Sequence, residues 1–428
     1  MHNGLRAAVG LLAAVSLLAA PAVSTASIYQ PDVVSDNPVD WTPQLTYDGT
    51  GPRPRVDAMA QTGSTLYAGG LFSGVQDAAG RIHSRTNMMA FDASSGDVRG
   101  TFRPAVDGNV FAVEAAADAV YIGGSFKSVN GTPRPAIAKL DPVTGALDPS
   151  FNPPFKGGRV NEIKLLDGRL IVGGSPGRKL IALNPATGKN TGYIRLPIKD
   201  KISGSWGGVA VYQFAVNPAG TQLVATGNFR TVDGQARTRF FMVDLGQNNA
   251  TLSPWYYDAF AKPCTSTHPR RIAYLQGVDY SPNGSYFVVT ATGQIPVKDD
   301  RGVTVCDAAA RFDVADDTKP AWINYTGGDS VWSTAATGSA VYVQGHFKWL
   351  DNPNGSASKC PENETCAFRR GAGAIDPVSG KALPWNPNKP ARIGGKDFLA
   401  TTAGLWIGSD SVKIKREPHR GIGLMPLR

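Results

Sequence analysis

Histidine and cysteine are scarce in this 428-residue chain, at five and four. His83, His268, His346 and His419 are scattered, and no two stand at metal-ligand spacing. The cysteines form no CxxC pair, so a four-thiolate metal site lacks its usual spacing. No GxSxG elbow and no phosphate-binding glycine loop occurs at a strand-to-helix turn, which argues against serine-nucleophile and P-loop chemistry. Charged residues make up only 18% of the chain, with no basic run and no recognition motif, so nucleic acid is not an expected partner. No segment holds a sustained 3.6-residue period, which excludes helical solenoids and bundles. After the first 26 residues no apolar run is long enough to cross a membrane as a helix.

The first 26 residues have the form of an export signal. Arg6 gives a positive start, residues 7–20 are an apolar run too short for a membrane span, and Ser24-Thr25-Ala26 offers a small-residue cleavage site. Cleavage is expected after Ala26, leaving 27–428 as the mature chain. An uncleaved anchor is the rival reading. No cysteine follows the run, as a lipoprotein would require, and the ending GIGLMPLR carries no anchor signal. The expected location is therefore extracellular. Oxidising export makes Cys264–Cys306 and Cys360–Cys366 the expected disulfides. The mature chain carries 42 Lys+Arg against 34 Asp+Glu, a net of +8, which favours acidic polymers outside the cell.

What the chain has in abundance is repetition. An apolar strand ending in small residues recurs as LYAGG (66–70), VYIGG (120–124), LIVGG (170–174), LVATG (223–227), YFVVT (286–290), VYVQG (341–345) and LWIGS (405–409). A short strand precedes each copy, and a third strand ending in Asp or Asn follows most of them, as in MMAFD, AIAKLD and LIALN. The turns DASSG, DPVTG, NPATG and DPVSG supply hairpin chemistry, and fourth strands end in Phe102, Phe151, Trp255, Trp322 and Trp385. Four antiparallel strands per unit of about 50–64 residues is the grammar of a β-propeller blade. The expected fold is all-β: one seven-bladed β-propeller domain with four-stranded blades. The last unit lacks a fourth strand, and an orphan segment at 39–45, VDWTPQL, matches the missing piece. That segment is expected to complete the last blade and close the ring, hiding two sheet edges.

Residues 123–153, GGSFKSVNGTPRPAIAKLDPVTGALDPSFNP, are similar to the delta-60 repeat of exported bacterial propellers, and TGNFRTVDGQARTRFFMVDL at 226–245 follows the same template. The C-terminal third, with VYVQGHFKWLDNPN, resembles secreted actinobacterial members of that group. The resemblance spans nearly all of the mature chain and implies fold and export, with no catalytic residues. AIDPVSGKALPW at 374–385 also resembles the tryptophan-docking motif of quinoprotein dehydrogenases. The adjacent cysteines and acidic calcium cluster of a quinone site are missing, so the motif is read as blade architecture.

Function in such a fold is sought on loops and along the central channel. An arginine stands seven residues before the third-strand acidic position in four blades: Arg85, Arg134, Arg237 and Arg369. These either form an anion-binding ring or bond neighbouring carbonyls with their planar forks. Trp206 and Trp349 lie off the repeat frame, where flat faces suit sugar stacking or plain loop packing. Asp57, Asn161, Asp279 and Trp332 fall at matching places in first strands and are expected at the channel mouth, with Glu162 beside them. Their oxygens allow a calcium ion at most, against the simpler reading of a hydrated polar channel; no other cofactor is expected. The expected function is a monomeric, non-enzymatic binding protein for a cell-wall or extracellular polymer such as an anionic glycan. The competing expectations are a hydrolase or lyase working at the channel mouth, and an adhesion protein that binds another protein.

Overall fold

A computed structural model describes residues 28–264, 273–390 and 392–428. The expected export signal and His268 lie outside the described residues. Among the described residues there is no α-helix, only the 3-10 turns Asp258–Ala261 and Lys298–Asp300. The described residues form twelve sheets, five of them short pieces of two or three strands. The other seven, each an antiparallel meander of three or four strands, follow one another along the chain. The first is Arg55–Thr62, Thr65–Leu71 and Met88–Asp92; the second is Val110–Ala115, Val120–Gly124 and Ile137–Leu140. The fourth and fifth sheets keep four laddered strands, ending in Ala250–Leu252 and Trp322–Tyr325. Elsewhere the fourth strand shrinks to a single bridge, such as Phe91↔Val98 and Leu140↔Leu147. The architecture is all-β and propeller-like.

Second strands are largely apolar because both their faces are covered; Val120–Gly124 and Val341–Gly345 are buried throughout. First strands pack side by side, each against the first strand of the next sheet, and Asp397–Thr401 also packs against Arg55–Thr62. The small-residue pair has a distinct job at each position. A Cβ on Gly123 would overlap the side chains of Val160 and Ile163 in the next sheet. A Cβ on Gly124 would overlap the Asn109 carbonyl oxygen. That carbonyl immediately precedes a β-bulge, where the ladder of Val110–Ala115 on Val120–Gly124 slips between Val110 and Ala112. The same slip occurs at Val56/Ala58, Val160/Glu162, Val211/Gln213, Leu275/Val278 and Val331/Ser333. The first glycine admits the next sheet's valine, and the second admits the bulge.

Neighbouring sheets are also latched at the rim. Tyr67 and Tyr121 hydroxyls donate to the Pro142 and Pro185 carbonyls of the next turn at 2.8 and 2.9 Å. Trp322 Nε1 donates to Pro377 O at 2.9 Å. Trp385 Nε1 makes the corresponding bond to Ser35 O at 3.0 Å, so the N-terminal segment stands where a turn would be. The N–H groups of Ser35, Val39 and Leu45 donate to the Pro426, Leu424 and Arg420 carbonyls at 2.8, 3.0 and 2.9 Å. Trp41 meets the fully buried Trp406 edge-on at 6.0 Å. The contact over 35–45 is thus a set of separate bonds; the ladder at Gln44–Leu45 is made with Gly74–Gln76 of the first sheet.

Both cysteine pairs stand at disulfide distance, with Cα separations of 5.8 Å for Cys264–Cys306 and 6.0 Å for Cys360–Cys366. Both lie in insertions outside the repeated strands. No helix among the described residues is long and apolar enough to cross a membrane.

Gly124→Ala tests the bulge, because its new methyl meets backbone that cannot rotate away. The expected cost is about 1–3 kcal/mol, read from the denaturant midpoint. An unchanged midpoint would show that the bulge carbonyl is free to move.

Candidate functional site

The bulges decide what faces the channel. An inserted residue breaks the in–out alternation and swings one side chain out of register. Asp57, Phe111, Asn161, Tyr212, Gln276 and Trp332 occupy the six slips, and all six line one cavity of about 980 Å³. Arg159, Glu162, Trp206, Tyr274, Lys396 and Asp397 line it too.

One wall carries cations on aromatic faces. Lys396 Nζ sits 3.4 Å from the Trp332 ring centre, and the Arg159 guanidinium lies 4.8 Å from that of Phe111. Arg159 Nε donates to Asn161 Oδ1 at 2.5 Å, and Asn161 Nδ2 donates to Val211 O at 2.7 Å. Asp57 is buried and held by Arg55 at 2.8 Å and by Asn109 Nδ2 at 3.1 Å. Burial raises the Asp57 carboxyl against the pull of Arg55 and Lys396, and burial brings Lys396 down to about 8.

Deeper in, carboxylates face one another. Burial in the channel wall, with the Asp397 charge beside it, pushes Glu162 up to about 8. Asp397 is pushed up to about 7 by burial, although the Met59 N–H donates to it at 2.6 Å. Both are half-exposed, but the surface they expose looks into the cavity and not into bulk water. Both carboxyls are thus held toward their protonated forms, which reduces the negative charge facing Arg159 and Lys396 across the cavity. No three His, Cys, Asp or Glu side chains among the described residues gather closely enough to hold a metal ion.

The other expected site residues are placed apart. Asp279 is one turn of alternation too deep: it lines a second space of about 180 Å³ at the far end of the channel and accepts from the Ala336 N–H at 2.9 Å. The fifth sheet's slip spans Leu275 to Val278, which displaces the numbering and makes Gln276 the mouth residue. Trp206 is 87% exposed at the cavity rim, its N–H bonded to Tyr274 Oη at 2.9 Å. Trp349 is on the outer hairpin Trp349–Leu350 with Ala367–Phe368, edge-on to Phe368 at 5.2 Å, so the two tryptophans make no common platform.

The arginines belong to those outer hairpins. Arg85 is 5% exposed and donates to the Ser84 and Arg99 carbonyls at 2.8 and 3.0 Å. Arg237 donates to the Ala236 and Ser253 carbonyls, and Arg369 to those of Phe368 and Leu383. Arg134 is buried at the matching place. The forks of Arg85, Arg237 and Arg369 are spent mainly on main-chain oxygens that tie each hairpin to its outer strand.

Tyr212, Tyr274, Arg159, Lys396, Asp397 and His346 were not anticipated. The run GGVAVYQF at 207–214 carries Val211-Tyr212 in the same frame as Val56-Asp57 and Val160-Asn161, which is the signal that locates Tyr212. Tyr274 and Asp397 open first strands, Arg159 and Lys396 stand just before them, and His346 follows a second strand.

The family described as "Domain of unknown function (DUF5122) beta-propeller" matches residues 120–151. No curated protein matches the sequence. Among solved structures, the computationally designed Ika8 protein is similar at a TM-score of 0.45 and 9% identity, over 90% of this chain and 98% of that one. The WD40 β-propeller domain of Doa1 aligns at 0.42 and 12% identity, over 86% and 94%.

Two outcomes follow from this electrostatic arrangement. Arg85→Ala strands the Ser84 and Arg99 carbonyls and costs about 1–3 kcal/mol, measured by thermal or denaturant unfolding. Glu162 and Asp397 hold protons in the folded chain that the unfolded chain has released above its ordinary carboxylate range. Folding therefore takes up protons between about pH 4.5 and 8, and stability falls as pH rises through that window. Glu162→Gln should raise the melting temperature at pH 9 and leave it nearly unchanged at pH 4. Equal effects at both would contradict the raised Glu162 pKa.

Proposed function

We propose that this chain is an exported, monomeric β-propeller of the delta-60-repeat kind that takes a segment of an acidic glycan into its central cavity. Seven sheets are read as seven blades, with residues 39–45 supplying the missing rim of the last and closing the ring. The observation that carries the proposal is the convergence of six bulged side chains on one cavity of about 980 Å³. A saccharide needs flat apolar faces for its C–H surfaces and fixed donors and acceptors for its hydroxyls. Trp206, Trp332, Tyr212, Tyr274 and Phe111 offer the first; Asn161, Gln213 and Gln276 offer the second. Arg159 and Lys396 supply positive charge for a sugar carboxylate or sulfate, since Asp57 is already matched by Arg55. Paired cysteines and the leader sequence support an extracellular setting.

The test is calorimetric titration with acidic and neutral oligosaccharides. Arg159→Ala should weaken the acidic ligand about tenfold and flatten its salt dependence. Trp332→Ala should weaken acidic and neutral ligands alike. Binding that survives both changes and is lost with Trp349→Ala would move the site to the outer hairpin.

A further inference from the structure

Glycan binding leaves one group on the cavity wall without a use. His346 lines the cavity, and its Nδ1 lies 2.7 Å from Asp329 Oδ1. Asp329 also accepts from the Ser358 hydroxyl, two residues before the loop that Cys360–Cys366 closes. The Asp329 side chain is only 12% exposed, and His346 Nε2 has no protein partner among the described residues. Asp307 lines the same cavity, 3% exposed, and accepts the Gly293 N–H at 2.7 Å. His346 follows Gly345, and a Cβ on Gly394 would touch both Gly345 and Trp332. The histidine therefore shares its wall with Trp332 and with Lys396 on that ring.

An imidazole with one nitrogen tied to a shielded carboxylate and the other turned to a ligand space has the form of a general base. A neighbouring acid and a pair of cations complete what one class of reaction needs. We propose that His346 and Asp329 form an acid–base dyad that cleaves a bound uronic-acid polymer by β-elimination; this rests on the acidic-glycan reading above. His346 Nε2 takes the proton from the carbon next to the sugar carboxylate. The electron pair left behind forms a carbon–carbon double bond as the bond to the glycosidic oxygen breaks. That oxygen leaves with a proton from the Asp307 carboxyl, and solvent returns the proton from His346 to Asp307. One chain becomes two, one ending in an unsaturated uronate, and no water or oxidant is consumed. Lys396 and Arg159 bind the sugar carboxylate, which makes the neighbouring C–H more acidic.

The protonation states suit these roles. Burial pushes Asp307 up to about 7, so a protonated fraction that can donate persists near neutrality. The hydrogen bond that His346 donates to Asp329 raises the imidazole, and the charged groups facing the ring are Asp329 and Asp307. Asp329 acts as a positioning residue.

The experiment uses the full exported protein with polygalacturonate, alginate and glucuronan. Binding is followed by calorimetry and cleavage by the ultraviolet absorbance of the unsaturated product. The expected result is absorbance growing with at least one polymer that binds. His346→Ala and His346→Gln should each lower the rate about 100-fold or more with binding and melting temperature kept. Asp329→Asn should move the acidic limb of the pH–rate profile to lower pH, because the imidazole loses the carboxylate that raises its pKa. Binding without absorbance, new reducing ends without absorbance, or an unchanged rate in folded His346 variants would each overturn elimination while leaving binding intact. Failure of all three polymers to bind would overturn both proposals together.

Discussion

Every feature of the cavity depends on the crowding of first strands around a shared channel. Strands brought that close leave no room for Cβ atoms where the next sheet's valine enters, hence Gly123 against Val160 and Gly408 against Val56. The same crowding makes regular alternation costly at the mouth. Each of six strands answers with a bulge, and in five of these sheets a glycine (Gly70, Gly124, Gly174, Gly227 or Gly345) faces the carbonyl that just precedes the slip. The site is thus a by-product of packing: the framework decides where a side chain will point and leaves its identity open. Asp57, Phe111, Asn161, Tyr212, Gln276 and Trp332 have no chemistry in common, yet they occupy one geometric role.

Charge is organised in depth. Near the mouth, cations rest on aromatic faces, and Asp57 is matched by Arg55. Further in, carboxylates crowd together and resist ionisation. A group that must hold a proton to stay in place is a cost to stability at high pH and is hard to explain as scaffold. The outer arginines behave in the opposite way. Their forks end on main-chain carbonyls, where a buried acceptor left alone would be expensive, and this makes them part of the blade.

The repeat pattern made the strands legible because its signals are local: alternation, a small-residue pair, an Asx-initiated turn. Asp92, Asp141, Asn184 and Asp376 each accept N–H groups two and three residues on, as their turn sequences require. The channel mouth was half legible. Asp57, Asn161 and Trp332 stand in frame with a preceding valine, whereas the longer slip in the fifth sheet put Asp279 out of frame. Trp349 could not be separated from Trp206 by composition, because only the fold reveals that one belongs to an outer hairpin and the other to the cavity rim. Lys396, Asp307 and His346 come from three connections of different length, and their meeting depends on blade-to-blade geometry that no local pattern encodes.

The claim on which the account turns is that ligand enters the central cavity and leaves the arginine-bearing hairpins untouched. Hydrogen exchange on the protein with and without a saturating acidic oligosaccharide tests it directly. The account predicts new protection at 159–162, 206–213, 330–332 and 394–397, with none at 82–85, 132–134, 235–237 or 367–369. Protection confined to those hairpins, with the cavity segments exchanging as before, would contradict it.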